Sequence, residues 1–438
     1  MKVLLVGSGA REHALAQALC QNPEVELHAA MPHANPGIKE LAEGSAICHM
    51  DDVQAILSFA KTVSPELAVF GPETPLVAGA ADALLESGIP CFGPTKALAQ
   101  IEGSKGFCRQ LLAKHSIAGN PAFRSFSTAD GLEDYINSLG PCVVKADGLA
   151  GGKGVKVWGD HLKNSADALK FARLVIASGS PVVVEEKLEG EEFSLMSISD
   201  GRTLVDCPAV QDHKRAFEND TGPNTGGMGS YSMPDHSLPF LNAGDLEQAH
   251  AITEKVMNAL GKDAGVPYRG VLYGGFMATA GGVKLLEYNC RFGDPEAMNV
   301  LGVLQSDFSQ AALAAAQGRL HEVEVSFLPQ ATVCRYLVPQ GYPDSPAKGT
   351  EIAIDIQRLN ASGGRLYYAS VEERAGKLVA FGSRAIALLG RGKTLEEARQ
   401  KAAAAASCVS GDLFSRPDIA SDAAIQKRVG HMAALRKK

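Results

Sequence analysis

The sequence predicts a multidomain α/β and α+β protein: an N-terminal doubly wound parallel sheet, two central lobes and a C-terminal mixed α/β domain. Three observations carry that expectation. With 438 residues, 45% of them hydrophobic and 21% charged, the chain can bury several cores. Through about residue 100, short β-branched runs alternate with longer amphipathic stretches, as in a parallel sheet covered on both faces. Beyond about 120 the pattern turns strand-rich with few helices, which places divisions at 1–104, 105–190, 191–325 and 326–438.

Taken in order, 2–6, 25–31, 67–70 and 89–92 read as the strands of the first domain. The second part has strand-like runs at 142–145, 155–158 and 181–188, with one helix at 165–177. The third carries long strands at 270–279 and 283–289, then two helices that run to Gly318. The fourth reads as strands followed by one strong helix, where Thr394 and Glu397 form a capping box ahead of an alanine run.

Composition excludes several classes. A formal charge of -7 argues against a general nucleic-acid binder, which would carry a basic excess. No run of about 18 apolar residues occurs, and the first apolar stretch is too short for a signal peptide, so no membrane partner and a cytoplasmic location are expected. Nine cysteines stand without a CxxC pair, which offers neither a zinc site nor a redox pair.

Gly7-Ser8-Gly9-Ala10-Arg11-Glu12 lies between a strand and a helix, where backbone N–H groups can meet an anion; a plain tight turn would use the same glycines. It is a poor dinucleotide fingerprint, because the second strand closes on Met31-Pro32-His33 and lacks the acid that would hold an NAD ribose. Gly71-Pro72-Glu73 places an acid at a strand's C-terminal end, where ligands of open sheets collect, although helix capping explains it as well.

Lys145 to Val155 is more specific: two lysines flank a glycine-dense hairpin able to cover a polyphosphate. It is not a Walker A loop, since the glycine spacing is one residue short and Gly154 stands where Ser or Thr should be. Val182 to Glu192 leads from a strand into an acidic turn that could accept from ribose hydroxyls but that alone reads as a solvated turn. Asp212-His213-Lys214-Arg215 and Asn224-Thr225-Gly226-Gly227 belong to a stretch with neither helical nor strand periodicity, which suggests backbone wrapped around a ligand. Glu287, Asn289 and Arg291 alternate along a strand and so project from one face, two oxygen ligands of the kind Mg²⁺ favours beside a guanidinium.

In that order, the lysine-bearing hairpin, the acidic hinge and the Glu-x-Asn-x-Arg strand resemble the ATP-grasp superfamily. Within it, GSGAREHAL at 7–15, GPETPLV at 71–77, KADGLAGGKGV at 145–155, QDHKRAFENDTGPNTGGMGSYS at 211–232 and EYNCRFGDPEAM at 287–298 resemble the phosphoribosylamine–glycine ligase family, over residues 1 to about 430. The resemblance implies two ATP-grasp lobes in the middle of the chain. It also implies a ligase that uses ATP to join glycine to 5-phosphoribosylamine through a glycyl phosphate. Glu287 and Asn289 would hold Mg²⁺ or Mn²⁺; Lys105, Lys145, Gly151, Gly152, Lys153 and Gly154 would hold the ATP phosphates; Glu185, Glu186 and Leu188 would form the adenine hinge, with Glu192 on the ribose. Gly9, Arg11, Glu12 and Glu73 would line the sugar-phosphate side. His213, Arg215, Asn224, Thr225, Gly226 and Gly227 would complete the substrate site, and Arg291, Asp294, Lys145, Asp212 and Lys214 would act catalytically. The partners are then small molecules, and the chain is a monomer or homodimer.

Three stretches depart from the family pattern. The strand ahead of the Glu-x-Asn strand, Tyr273 to Met277, is expected to present no side-chain oxygen at its buried positions. Met31 to Gly37 replaces a more compact turn, and Tyr367 to Ser370 replaces an HAGT-like run. The competing readings are another ATP-grasp carboxylate–amine ligase or carboxylase of purine metabolism, a non-catalytic nucleotide sensor, and an oxidoreductase.

Overall fold

The computed structural model describes residues 1–149 and 154–437. Its first sheet is all-parallel, in the order Gly44–Ile47, Glu26–Met31, Lys2–Val6, Leu67–Phe70, Cys91–Phe92. Val3 to Val6 and Leu67 to Val69 are wholly buried, as strands covered on both faces must be. Gly44–Ile47 escaped the sequence reading because it is short and half exposed at the sheet's edge. The strand order reverses between Lys2–Val6 and Leu67–Phe70, so a crevice opens at their carboxyl ends. The Gly7 turn and Glu73 stand there. Gly7 has φ +121°, and a Cβ on it would lie 2.6 Å from both Glu12 Cγ and Pro72 Cδ; only glycine fits.

The small lobe is a four-stranded antiparallel sheet, Phe123–Phe126, Val182–Glu186, Cys142–Ala146, Val155–Val157. Helices Leu132–Leu139 and Ser165–Ala177 bring apolar stripes onto it and close a separate core that includes Leu132, Ile136, Val144 and Ala172. The larger central sheet runs Leu204–Asp206, Glu191–Ser199, Gly270–Thr279, Gly282–Asn289, with the 22-residue helix Ala243–Ala264 packed on it.

A third sheet does not respect the expected division at 325. Gln211–Asp212 and Gly229–Ser232 pair into the same sheet as Ala331–Pro339, Ile386–Gly392 and Arg365–Tyr368. The polar 211–232 stretch, expected to lack regular structure, therefore holds short strands, and Arg215–Phe217 and Thr221–Asn224 form a further hairpin. Their polar, glycine-rich residues hid the pairing, which partners distant in sequence supply.

Helix Leu395–Ala406 is capped by Thr394 Oγ1, which accepts from Glu397 N–H; Glu397 returns its carboxylate to Lys393 N–H at 2.9 Å, one residue off the reciprocal arm of a capping box. The chain then adds a second helix, Asp422–Leu435, which the sequence reading missed: Ile425, Met432 and Leu435 are its few buried anchors. Among the described residues no helix is long and apolar enough to cross a membrane.

Candidate active site

A cleft of about 520 Å³ lies between the small lobe, the Gly282–Asn289 strand and the crevice of the N-terminal sheet. On the small-lobe side, neighbouring strands carry Lys145 and Glu185. Lys145 Nζ lies 2.8 Å from Glu185 Oε2 and donates to Leu286 O at 3.0 Å. Arg109 grips the same carboxylate from helix Lys105–Lys114, with Nε at 2.6 Å and Nη2 at 3.0 Å, and also donates to Leu286 O. Burial by itself would raise the Glu185 carboxyl, but the Lys145 and Arg109 charges outweigh it and hold the group at about 2. The carboxylate is thus spent on two cations, and what it does in the site is to fix Lys145.

Lys105 stands at the start of the helix that Ser104 caps. Its backbone N–H donates to Asp147 Oδ1 and its Nζ to Gly148 O at 2.8 Å, which ties this helix to the glycine hairpin. Gly154 closes the hairpin by accepting from Ala146 N–H at 2.8 Å; Gly151, Gly152 and Lys153 lie outside the described residues. Glu186 takes Ala122 N–H at 2.9 Å, and Glu186, Leu188 and Glu192 line the cleft's outer wall.

Across the cleft, Glu287, Asn289 and Arg291 all line the cavity, as their alternation implies. Glu287 pairs in register with Gly275, and Asn289 with Tyr273. Arg291 is held by two acids: Nε lies 3.1 Å from Glu73 Oε2 and Nη2 2.7 Å from Glu102 Oε1, with Asn289 Oδ1 at 3.3 Å. Burial tends to raise the Glu73 carboxyl, but Arg291 and Arg11 bring it down to about 2. Glu102 also accepts from Cys290 N–H, so the N-terminal domain and the Glu-x-Asn strand are bolted together here. Arg11 donates to Phe292 O at 3.1 Å and to Glu12 at 2.6 Å.

The remaining expected residues divide. Asp212, Lys214, Asn224, Thr225, Gly226 and Asp294 line the cleft, with Lys214 Nζ 2.7 Å from Glu192 Oε2. Gly9, Glu12, His213, Arg215 and Gly227 do not line it. Glu12 accepts Gly9 N–H as an internal cap, so that N–H is not offered to an anion. His213 is buried with Asp220 Oδ1 3.6 Å from Nδ1, and burial lowers its pKa. Arg215 reaches instead to Asp160 on the small lobe at 2.6 Å and to Gly222 O.

Asp294 lines the cleft with its charge already paired. Its carboxylate accepts from Tyr336 OH at 2.5 Å and pairs with Arg384 Nη2 at 2.9 Å, both from the C-terminal part of the chain. Tyr273 corrects another expectation, because its buried hydroxyl does reach the cleft and donates to Glu296 at 2.9 Å. Arg109, Glu102, Arg384 and Glu296 were missed by sequence reasoning. Arg109 could have been found, being four residues beyond Lys105 on the same helix face; the others carry no local signal.

Glu287 and Asn289 fit a hard divalent cation. Both line the cleft and offer oxygen, the donor type that a hard divalent cation prefers. Among the described residues no three acids, histidines or cysteines are grouped so as to hold a metal ion, so the rest of the shell would be phosphate and water oxygens.

Lys105 and Lys145, sharing a nucleotide-sized cleft with a Glu-x-Asn strand, define with the matching domain model an ATP-grasp enzyme. Family models described as the phosphoribosylglycinamide synthetase N domain, ATP-grasp (A) domain and C domain match residues 1–102, 103–297 and 332–422. The chain belongs to the phosphoribosylglycinamide synthetase family. It is 47% identical to the phosphoribosylamine–glycine ligase of Methanococcus maripaludis and 45% identical to that of Methanocaldococcus jannaschii, each over 100% of both chains. A crystal structure of phosphoribosylamine–glycine ligase from Thermotoga maritima matches 96% of this chain and 100% of its own with a TM-score of 0.80 at 31% identity. The biotin carboxylase domain of Hydrogenobacter thermophilus 2-oxoglutarate carboxylase, at 15% identity and a TM-score of 0.72, shares the fold.

Proposed function

We propose that this protein joins glycine to 5-phosphoribosylamine through glycyl phosphate, giving glycinamide ribonucleotide, ADP and phosphate in purine biosynthesis. The carrying observation is that Lys145, fixed by Glu185 and bonded to Leu286 O, shares one cleft with Glu287 and Asn289 of that same strand. Family membership and near half identity to phosphoribosylamine–glycine ligases support the substrates.

Phosphoryl transfer asks the protein for position and positive charge rather than a nucleophile. Lys105 and Lys145 would lie along the triphosphate, and Glu186 to Leu188 would meet the base, with Glu192 on the ribose. A bound Mg²⁺ or Mn²⁺, held by Glu287 and Asn289, would neutralise charge developing on the transferred phosphoryl group. Arg291, immobilised by Glu73 and Glu102, would present its remaining N–H to the acyl phosphate side. Gly151, Gly152 and Lys153, with Gly154, would cover the phosphates and keep water from the labile intermediate. Asp212 and Lys214, with the Asn224 to Gly226 segment, would border glycine and the ribosylamine.

The divisions at 104 and 190 are retained in this reading, with 211–232 assigned to the sheet it shares with the C-terminal part. A cytoplasmic location and a monomeric or homodimeric state complete the proposal. The test is ADP release by the purified protein with glycine, generated phosphoribosylamine and Mg²⁺. Release that requires both substrates is expected; release that ignores glycine would refute the substrate assignment.

A further inference from the structure

We propose that Glu296, together with Asp212, forms the receptor for the ammonium group of the amino-acid substrate and sets selectivity against carboxylates that lack it. The inference rests on the reading that glycine is activated in this cleft. Glycine is a zwitterion: its carboxylate reacts, while its ammonium is all that separates it from other two-carbon acids. A cation leaving water needs a fixed anion that no protein cation has already neutralised.

Most acids of the cleft are spoken for. Glu185 is closed by Lys145 and Arg109, Glu73 and Glu102 by Arg291, Glu192 by Lys214, and Asp294 by Arg384. Glu186 takes a backbone N–H at the small-lobe edge, and Glu287 is assigned to the divalent ion. Among the described lining residues, Glu296 has no ion-pair partner and Asp212 has none in contact, only the nearby Lys214 charge that it shares with Glu192.

Glu296 opens the helix Glu296–Val303 and is 3% exposed, yet it lines the cavity. Only neutral groups orient it: Oε1 accepts from Tyr273 OH at 2.9 Å and from Ser194 Oγ at 3.4 Å, and those two hydroxyls are 2.7 Å apart. A Cβ on Gly293 would come within 2.4 Å of Oε2, so the carboxylate needs glycine there to keep its place. Burial, and then the Asp212 charge, push Glu296 up to about 7, a repulsion that a bound ammonium would relieve. Tyr273, which donates to Glu296, pairs in register with Asn289, so the hydroxyl that orients Glu296 stands on the strand beside the one that carries the cation site.

The experiment compares glycine with glycolate, which replaces the ammonium by a neutral hydroxyl of similar size. Initial rates of ADP release with phosphoribosylamine present give kcat/KM for glycine, and competition gives the inhibition constant of glycolate. The wild type should favour glycine strongly. Glu296→Gln should lower kcat/KM for glycine by roughly 30-fold or more through a raised KM for glycine. KM for ATP should stay put and glycolate should bind as well as before or better, so that selectivity collapses. Asp212→Asn, on a different element, should do the same and guards against a folding defect at the helix start. An equal loss for both acids, with selectivity unchanged in active variants, would overturn the inference and leave Glu296 a scaffold residue. A rise confined to KM for phosphoribosylamine would also overturn it, by giving the pair to the other amine. A wild type that releases no ADP in response to glycine would instead bring down the functional reading beneath it.

Discussion

Arg384 and Asp294, 90 residues apart in the chain, meet at 2.9 Å on the floor of the cleft, with the arginine's guanidinium carbon 4.4 Å from the centre of the Tyr336 ring. The same guanidinium donates to the carbonyl oxygens of Gly226 and Gly227, so one side chain fastens the substrate-bordering loop to the C-terminal sheet.

Replacing Arg384 with Ala should therefore act twice. It leaves the Asp294 carboxylate poorly compensated, at a cost of about 2–4 kcal/mol, and it frees the 224–227 loop. The expected outcome is a lower denaturant midpoint together with a higher KM for the amine substrates, read from urea titration and steady-state rates. Retention of both would show that the clamp is idle.

Glu185 should govern both nucleotide binding and acid stability. Its folded pKa near 2 lies below the value of about 4.3 for an unfolded chain. The unfolded state then binds more protons as pH drops, so this stabilisation is complete above about pH 4.3 and is lost as pH falls toward 2. Glu185→Gln should flatten that segment of the stability profile and raise KM for ATP, because Lys145 loses its anchor. Urea midpoints between pH 2 and 5 make the check.

Glu287→Ala should reduce turnover on the order of a hundredfold or more, since it removes one of the two side chains that would hold the divalent cation. The Mg²⁺ concentration giving half-maximal rate should rise in parallel. A variant that keeps wild-type rate at limiting Mg²⁺ would place the cation elsewhere.

His13 predicts a second pH effect, in a less acidic range. It is buried where Nδ1 accepts Tyr368 N–H at 3.0 Å, and burial lowers its pKa from 6.5 to about 4. A neutral folded ring and a chargeable unfolded one mean that stability present above pH 6.5 declines as pH falls toward 4, by about 3 kcal/mol in all. His13→Gln should remove that slope, measured by urea midpoints between pH 4 and 7.

What could be read from the sequence was what repeats or clusters locally. The buried strands Lys2–Val6 and Leu67–Phe70 announce themselves by uninterrupted apolar residues, and Gly270–Thr279 with Gly282–Asn289 by length and alternation. The projection of Glu287, Asn289 and Arg291 into one cleft follows from the two-residue period of a strand. What could not be read depends on contacts across hundreds of residues. Nothing near Asp294 reveals that Arg384 and Tyr336 neutralise it, nothing near Cys290 foretells Glu102, and the sheet pairing of 211–232 needs strands beyond residue 330. His213 and Arg215 looked like ligands because charged residues in a row suggest a site, yet each is turned to a neighbouring element.

The interleaving of Gln211–Asp212 and Gly229–Ser232 with strands beyond 330 makes the carboxyl-terminal part inseparable from the catalytic half. A gene cut between 325 and 331 would yield two inert pieces, each missing half of a shared sheet, and activity would return only where both were made together and could zip that sheet closed.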